Sequence, residues 1–155
     1  MRFGFPLLAL AACFDGPRGA CTLVYCTSEA TITLVPFTDP APYLGAAVTL
    51  CVNERCASAP LPTMPPADGT GTMETASGAL SMFVTFERRS GYYQLRIQTN
   101  GDDFEHGDEY SLEIRGTDGD VVVQHAWTAD YVEYEPNGPR CGPLCLQETI
   151  EIPGR

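Results

Sequence analysis

Apolar and polar residues alternate along most of this chain, and this period of two restricts its fold more than any other feature. Alternation places every second side chain on one face of a β-strand, so each alternating run predicts a half-buried strand. No amphipathic helical period of useful length appears in the sequence. The alternation predicts strands over residues 31–35, 47–52, 80–86, 93–98, 110–115, 121–128 and 146–152.

Turn residues separate these runs. Residues 89–91 (Arg-Ser-Gly) link two of them, and residues 117–120 (Thr-Asp-Gly-Asp) predict a hairpin turn because Asp-Gly tolerates positive φ. Two longer loops are expected, one over residues 58–77, rich in Pro, Thr and Gly, and one over residues 134–145. Seven or eight short antiparallel strands within one domain predict an all-β sandwich.

Residues 107–114 (Gly-Asp-Glu-Tyr-Ser-Leu-Glu-Ile) resemble the tyrosine corner of immunoglobulin-like and fibronectin-III-like sandwiches. The chain from about residue 30 to residue 152 is also similar to transthyretin-like modules of secreted bacterial proteins. The resemblance implies an antiparallel β-sandwich in which the Tyr110 hydroxyl bonds to loop backbone near residues 105–107. The long-range Cys-Trp-Cys pattern of true immunoglobulin domains is absent from the sequence, and the chain continues beyond the last strand of such modules.

The N-terminus predicts export and lipidation. An apolar run over residues 3–12 is too short to cross a membrane, since a spanning helix needs about 20 residues. Leu10-Ala11-Ala12-Cys13 resembles the lipobox of bacterial lipoproteins, in which the cysteine is acylated and becomes the mature N-terminus. We therefore expect a signal peptide over residues 1–12, a lipidated tether over 13–29 and a β-sandwich domain over 30–155. The alternative is an ordinary secretory signal with Cys13 as an unlipidated thiol.

The cysteine count supports this interpretation. The chain has seven cysteines, and an exported protein with an odd number needs a separate role for one of them, which lipidation of Cys13 would supply. A hairpin with Asn53-Glu54 as its turn would place Cys51 opposite Cys56, so we predict a disulfide between them. The four remaining cysteines are also expected to form disulfides: Cys21, Cys26, Cys141 and Cys145. Either each pairs with its neighbour in sequence, or cross-pairing ties the tether to the last strand.

Charge excludes several classes of function. The chain has nine arginines, no lysine and twenty acidic residues, for a formal net charge of −11. Such a domain repels nucleic acid and anionic lipid head groups, so neither is expected as a partner of the folded part. The absence of lysine excludes Schiff-base chemistry and a phosphate-loop lysine. We expect no cofactor and no metal, because the cysteine pairs lack zinc-knuckle spacing and have no histidine nearby.

The densest acidic stretch lies between residues 100 and 109. Carboxylates clustered on a loop can bind calcium, although the spacing differs from the alternating acids of a calcium-binding loop. A solvated turn before a strand is the favoured interpretation. The candidate calcium ligands are Asp102, Asp103, Glu105 and Asp108.

Histidines and aromatic residues form the remaining candidates. His125 and Trp127 are two residues apart and therefore share a face of one strand, where packing is a commoner role than catalysis. His106 lies in the acidic loop. The sequence contains no Gly-x-Ser-x-Gly nucleophile elbow. Trp127, Tyr131 and Tyr134 could form an aromatic platform for a sugar or peptide, but closure of the core by Trp127 is favoured.

The sequence therefore predicts an exported lipoprotein anchored at the cell envelope. Its sandwich would be a non-catalytic binding or structural module with no catalytic residues, and its partner would be an unidentified envelope protein or glycan. Tyr110 and Trp127 are expected to be structural. The alternative is a small envelope hydrolase that uses His125 or a pair of carboxylates.

Overall fold

The structure, a computed structural model, describes residues 24–138 and 141–153. Eleven strands and one short 3-10 helix form the described part of the chain. The strands are β1 (Glu29–Leu34), β2 (Ala47–Val52), β3 (Arg55–Pro60), β4 (Gly71–Thr75), β5 (Ser77–Gly78), β6 (Ser81–Arg89), β7 (Tyr92–Asn100), β8 (Glu109–Arg115), β9 (Val121–Thr128), β10 (Val132–Tyr134) and β11 (Cys145–Ile152), and the 3-10 helix is Ala41–Tyr43.

The strands form two sheets that face each other across one core. The first sheet has six strands in the order β10-β11-β1-β7-β6-β4, and the second has five in the order β5-β3-β2-β8-β9. The pairing of β1 with β11 is parallel, whereas the other strand pairs are antiparallel. The predicted antiparallel β-sandwich is confirmed.

The core follows directly from the alternation. Ile32 on β1, Leu50 on β2 and Leu112 on β8 are fully buried, as are their neighbours two residues away in each strand. Complete burial of each such side chain stabilises the fold by about 1.5–3 kcal/mol. An irregularity in the register of β8 and β9 lets the consecutive residues Val122 and Val123 both be buried.

The structure adds strands within residues 58–77, where the sequence predicts a long loop. β3 continues the hairpin from β2 as far as Pro60, β4 pairs with β6, and the two-residue β5 pairs with β3. β4 and β5 lie at sheet edges and bury few large apolar side chains, so they lack the alternating pattern that revealed the other strands. The proline, threonine and glycine content of this segment concealed them.

Two tight turns set the register of their hairpins. Residues 53 and 54 connect β2 to β3, and Asn53 has φ of 53°, a left-handed conformation that asparagine tolerates better than most residues. Ser90 and Gly91 connect β6 to β7, both with positive φ, so Arg89 faces Tyr92. Such turns have a twist that matches the flanking strands.

Disulfides fasten both sheets. Cys51 and Cys56 are bonded to each other and occupy facing positions on β2 and β3, which confirms the predicted hairpin pairing. Cys26 is bonded to Cys145, with their Cα atoms 6.2 Å apart, so the cross-paired alternative is found and the local one is wrong. Cys141 is also disulfide-bonded. The proposed signal peptide, Cys13 and Cys21 lie outside the described residues.

Candidate functional site

One end of the sandwich brings together most of the residues singled out in the sequence. Here β8 begins, β9 ends, and the 101–108 loop arrives from β7. The Tyr110 ring stacks on the Trp127 indole, with centroids 4.9 Å apart, and the Tyr131 ring stacks on Phe104 at 5.8 Å. Trp127 is only partly buried, whereas both tyrosines and Phe104 are buried. These rings close this end of the core.

The Tyr110 hydroxyl does not bond to the loop backbone. It lies 2.6 Å from the Tyr131 hydroxyl, and both residues are buried. The backbone N–H of Glu105 already donates to the Asp108 carboxylate at 3.0 Å. The loop is therefore closed by its own aspartate, and the predicted bond from Tyr110 to residues 105–107 is wrong.

Asp108 is the centre of a buried polar network. One of its carboxylate oxygens accepts from Asn53 Nδ2 at 2.8 Å, and the other accepts from the Glu105 N–H and from the Tyr131 hydroxyl at 3.4 Å. Asn53 Oδ1 accepts in turn from the backbone N–H of Glu109 at 2.9 Å. The network joins the β2–β3 turn to the loop before β8, and its donors supply the partners that a buried carboxylate requires.

The sequence predicts Asn53 as a turn residue, but it does not predict the hydrogen bonds of Asn53 or the pairing of the Tyr110 and Tyr131 hydroxyls. Asparagine at the first position of a two-residue turn is a local signal, because the left-handed conformation favours it. Tyr131 has no such signal, since its partner Tyr110 is 21 residues away, on β8.

Burial governs the ionisation of the two tyrosines. Desolvation raises the pKa of Tyr110 to about 12, against an ordinary value of 10. Desolvation, followed by the hydrogen bond with Tyr110, raises the pKa of Tyr131 further still. Both hydroxyls are therefore protonated near neutral pH, and the pair acts as a structural hydrogen bond.

The proposed calcium ligands are not brought together. Asp108 points into the buried network, and Asp103 forms an ion pair with Arg55 at 2.6 Å. Asp102 and Glu105 are exposed. Within residues 24–138 and 141–153, no group of three or more histidine, cysteine, aspartate or glutamate side chains could hold a metal ion.

Both histidines contact aromatic rings. The His125 ring lies 5.6 Å from the Trp127 ring, on the same face of β9 as expected, and the His106 ring meets Tyr131 edge-on at 6.0 Å. His106 Nε2 also lies 3.8 Å from Glu133 Oε1. Glu148 on β11 accepts from the Trp127 indole N–H at 3.5 Å and so links the two sheets.

Two surface depressions lie away from these residues. One, of about 270 Å³, lies between residues 41–44 and the 116–122 turn, and the other, of about 430 Å³, lies between residues 68–71 and 87–90. Neither contains His125 or Trp127.

In the part of the chain that the structure describes, no helix is long and apolar enough to cross a membrane. No protein-family model, curated protein or solved structure matches the chain.

Proposed function

We propose that this chain is an exported lipoprotein whose β-sandwich is a non-catalytic binding or structural module at the cell envelope. Residues 10–13 supply the lipobox, and Cys13 would carry the lipid. An envelope protein or a glycan would be its partner.

The oxidation of the cysteines carries this proposal. All five cysteines between residues 24 and 153 are disulfide-bonded, and disulfides persist in exported proteins whereas the cytosol keeps thiols reduced. One of these bonds joins Cys26, only 13 residues after Cys13, to the strand β11. Only a short segment would therefore separate a lipid on Cys13 from the residue that is covalently bonded to the β-sandwich.

The contacts of the titratable side chains favour a module without catalysis. The Asp108 carboxylate is closed within a hydrogen-bonded network, and the tyrosine pair keeps its protons. His125 packs on the Trp127 ring. A hydrolase would need an activated nucleophile beside a base, within reach of a substrate cleft.

Membrane fractionation tests the anchor. The full chain, expressed in a bacterium with its own N-terminus, should remain with membranes after washes in high salt and carbonate, and Cys13→Ser should be released. The matched control is the Cys51→Ser/Cys56→Ser double variant, which loses a cysteine pair but keeps Cys13 and should stay with membranes. Retention of Cys13→Ser after these washes would contradict the proposal.

Turnover assays test the absence of catalysis. The purified full-length protein should show no activity in broad esterase, peptidase and glycosidase screens. An activity that disappears in His125→Ala, while circular dichroism shows an intact fold, would favour the envelope hydrolase instead.

A further inference from the structure

Exposed apolar side chains concentrate at one corner of the molecule. The described residues include eight large apolar side chains that are strongly exposed, and five of these belong to the corner where the N-terminal segment meets β10 and β11. Tyr25 is 78% exposed and Val132 is 69% exposed. We call these five residues the apolar corner: Val24, Tyr25, Val132, Tyr134 and Leu144.

Hydrogen bonds and a disulfide hold the apolar corner together. Asn137 is buried, accepts from the backbone N–H of Val24 at 2.6 Å and donates to its carbonyl at 2.9 Å. Cys145, the ladder partner of Tyr134, is bonded to Cys26. The exposed side chains are therefore displayed on fixed backbone.

The chain outside the described region leads from this corner to the proposed lipid. Eleven residue steps separate Cys13 from Val24, which limits their separation to about 40 Å even for a fully extended chain. An anchor at Cys13 would keep the apolar corner close to the bilayer surface. Tethering over such a short segment raises the effective concentration of the apolar corner at the membrane surface to the millimolar range. Even a weak affinity for lipid would then be enough for binding.

The chemistry of the corner fits the bilayer interface. Tyrosine is enriched at the level of the lipid head groups, because its ring is apolar and its hydroxyl is polar. Acidic side chains lie at the same end of the sandwich: Glu133 is on β10, and the exposed Asp102 and Glu105 are in the loop that follows β7. These charges disfavour anionic head groups and favour zwitterionic ones.

We propose that the apolar corner docks on the zwitterionic surface of the membrane that holds the lipid anchor, and so fixes the orientation of the sandwich. This inference rests on the proposed lipidation. The corner would lie in the head-group region, while the β6–β7 turn and β4 would face away from the anchor.

Tryptophan fluorescence with brominated lipids tests the docking. Tyr134→Trp adds a fluorophore to the apolar corner, and Met73→Trp adds one to β4, at the opposite edge of the same sheet, five strand spacings or about 24 Å away. Each full-length lipidated variant is purified from membranes and reconstituted into vesicles of phosphatidylcholine with brominated or ordinary acyl chains. Unsubstituted protein, whose only tryptophan is Trp127, gives the baseline.

We expect the fluorescence added at position 134 to fall by about half in brominated vesicles, since aromatic side chains at the interface lie within reach of the acyl chains. The fluorescence added at position 73 should be unchanged. Quenching at position 134 should weaken when the vesicles are made from brominated phosphatidylglycerol, which is anionic.

The outcomes separate the docking from the anchor. Protein that floats with vesicles but shows no quenching at position 134, or equal quenching at both positions, would overturn the docking and leave the anchor intact. An unquenched residue 134 that is shielded from aqueous iodide would indicate that a protein, or a second copy of this chain, covers the corner instead. Protein that fails to float would overturn the anchor and the docking together.

Discussion

At the scale of single residues, the polar groups buried at the β8 end are paired with one another. The Asp108 carboxylate receives N–H groups from Asn53 and Glu105, and the Tyr131 hydroxyl lies between this carboxylate and Tyr110. When a buried acceptor loses its donor, the loss of stability exceeds the net contribution of the hydrogen bond, because the group cannot return to water. Substitutions of these residues should therefore lower the free energy of unfolding by unequal amounts, and the effects of two substitutions should not be additive.

Tyr110→Phe should lower the free energy of unfolding by about 1 kcal/mol, and by up to about 3 kcal/mol if the Tyr131 hydroxyl is left without a second partner. Adding Tyr131→Phe should cost less than the sum of the two single changes, because the pair would then be replaced by apolar rings. Urea unfolding of the four proteins measures the coupling. Tyr134→Phe, on an exposed ring, serves as the control. Strictly additive losses would show that the hydroxyls do not interact.

Stability should fall as the pH rises from about 10 to about 12. The pKa of Tyr110 is raised in the folded state, so the unfolded chain loses this proton first, and the stabilisation present below pH 10 disappears as the pH approaches 12. Circular dichroism in moderate urea along an alkaline titration would follow the loss. The double variant Tyr110→Phe/Tyr131→Phe should lose less stability over this range. If the free energy of unfolding fell equally with pH in both proteins, the loss could not be attributed to the buried tyrosine pair.

At the scale of strands and turns, the sequence predicted what alternation and turn residues encode locally. The strand β9 was predicted over its full length, and the Cys51–Cys56 hairpin had the correct register. Edge strands within residues 58–77 were not predicted, since they bury few apolar side chains and so lack the alternating pattern. The hydrogen-bond partner of Tyr110 was not predicted, and the sequence left open whether Cys26 pairs locally or with the last strand. Both contacts join segments that only the finished fold brings together.

Replacing Gly78 tests the pairing of two strands, because β5 approaches β3 closely at this residue. It has φ of 143°, and a Cβ atom there would lie 2.7 Å from Ala57 Cα. Gly78→Ala should destabilise the protein by about 2 kcal/mol through this overlap. Gly119→Ala is the matched control: φ is also positive, but no atom lies within 4 Å of its Cβ position, so a loss of about 1 kcal/mol is expected. Thermal unfolding that ranks Gly119→Ala as the more damaging change would contradict the close approach.

At the scale of the whole molecule, the N-terminal segment is fastened to the far end of the chain. Besides the disulfide between Cys26 and Cys145, the backbone N–H of Leu146 donates to Ser28 Oγ, and Asn137 bonds to both backbone groups of Val24. These contacts cross more than 110 residues of sequence. The hydrogen bonds are lost on unfolding, but the disulfide persists and restricts the unfolded chain as well as the folded one.

The two described disulfides should therefore differ in their contribution. Their sequence separations are 119 and 5 residues, for which loop-closure entropy gives about 5 kcal/mol for Cys26–Cys145 and about 2 kcal/mol for Cys51–Cys56. Replacing each pair with serines and measuring unfolding in denaturant gives the comparison. A larger loss for the Cys51→Ser/Cys56→Ser variant would show that native-state contacts outweigh the chain entropy.

The parallel pairing of β1 with β11 also has a consequence for biosynthesis. β1 lies between β7 and β11, so one of its edges stays open until residue 152 has been made. Until then a growing chain displays an unpaired strand rich in threonine and β-branched residues, the kind of edge that joins other chains into aggregates. A product released by a ribosome that stalls before residue 145 would lack β11 and could never cover this edge of β1.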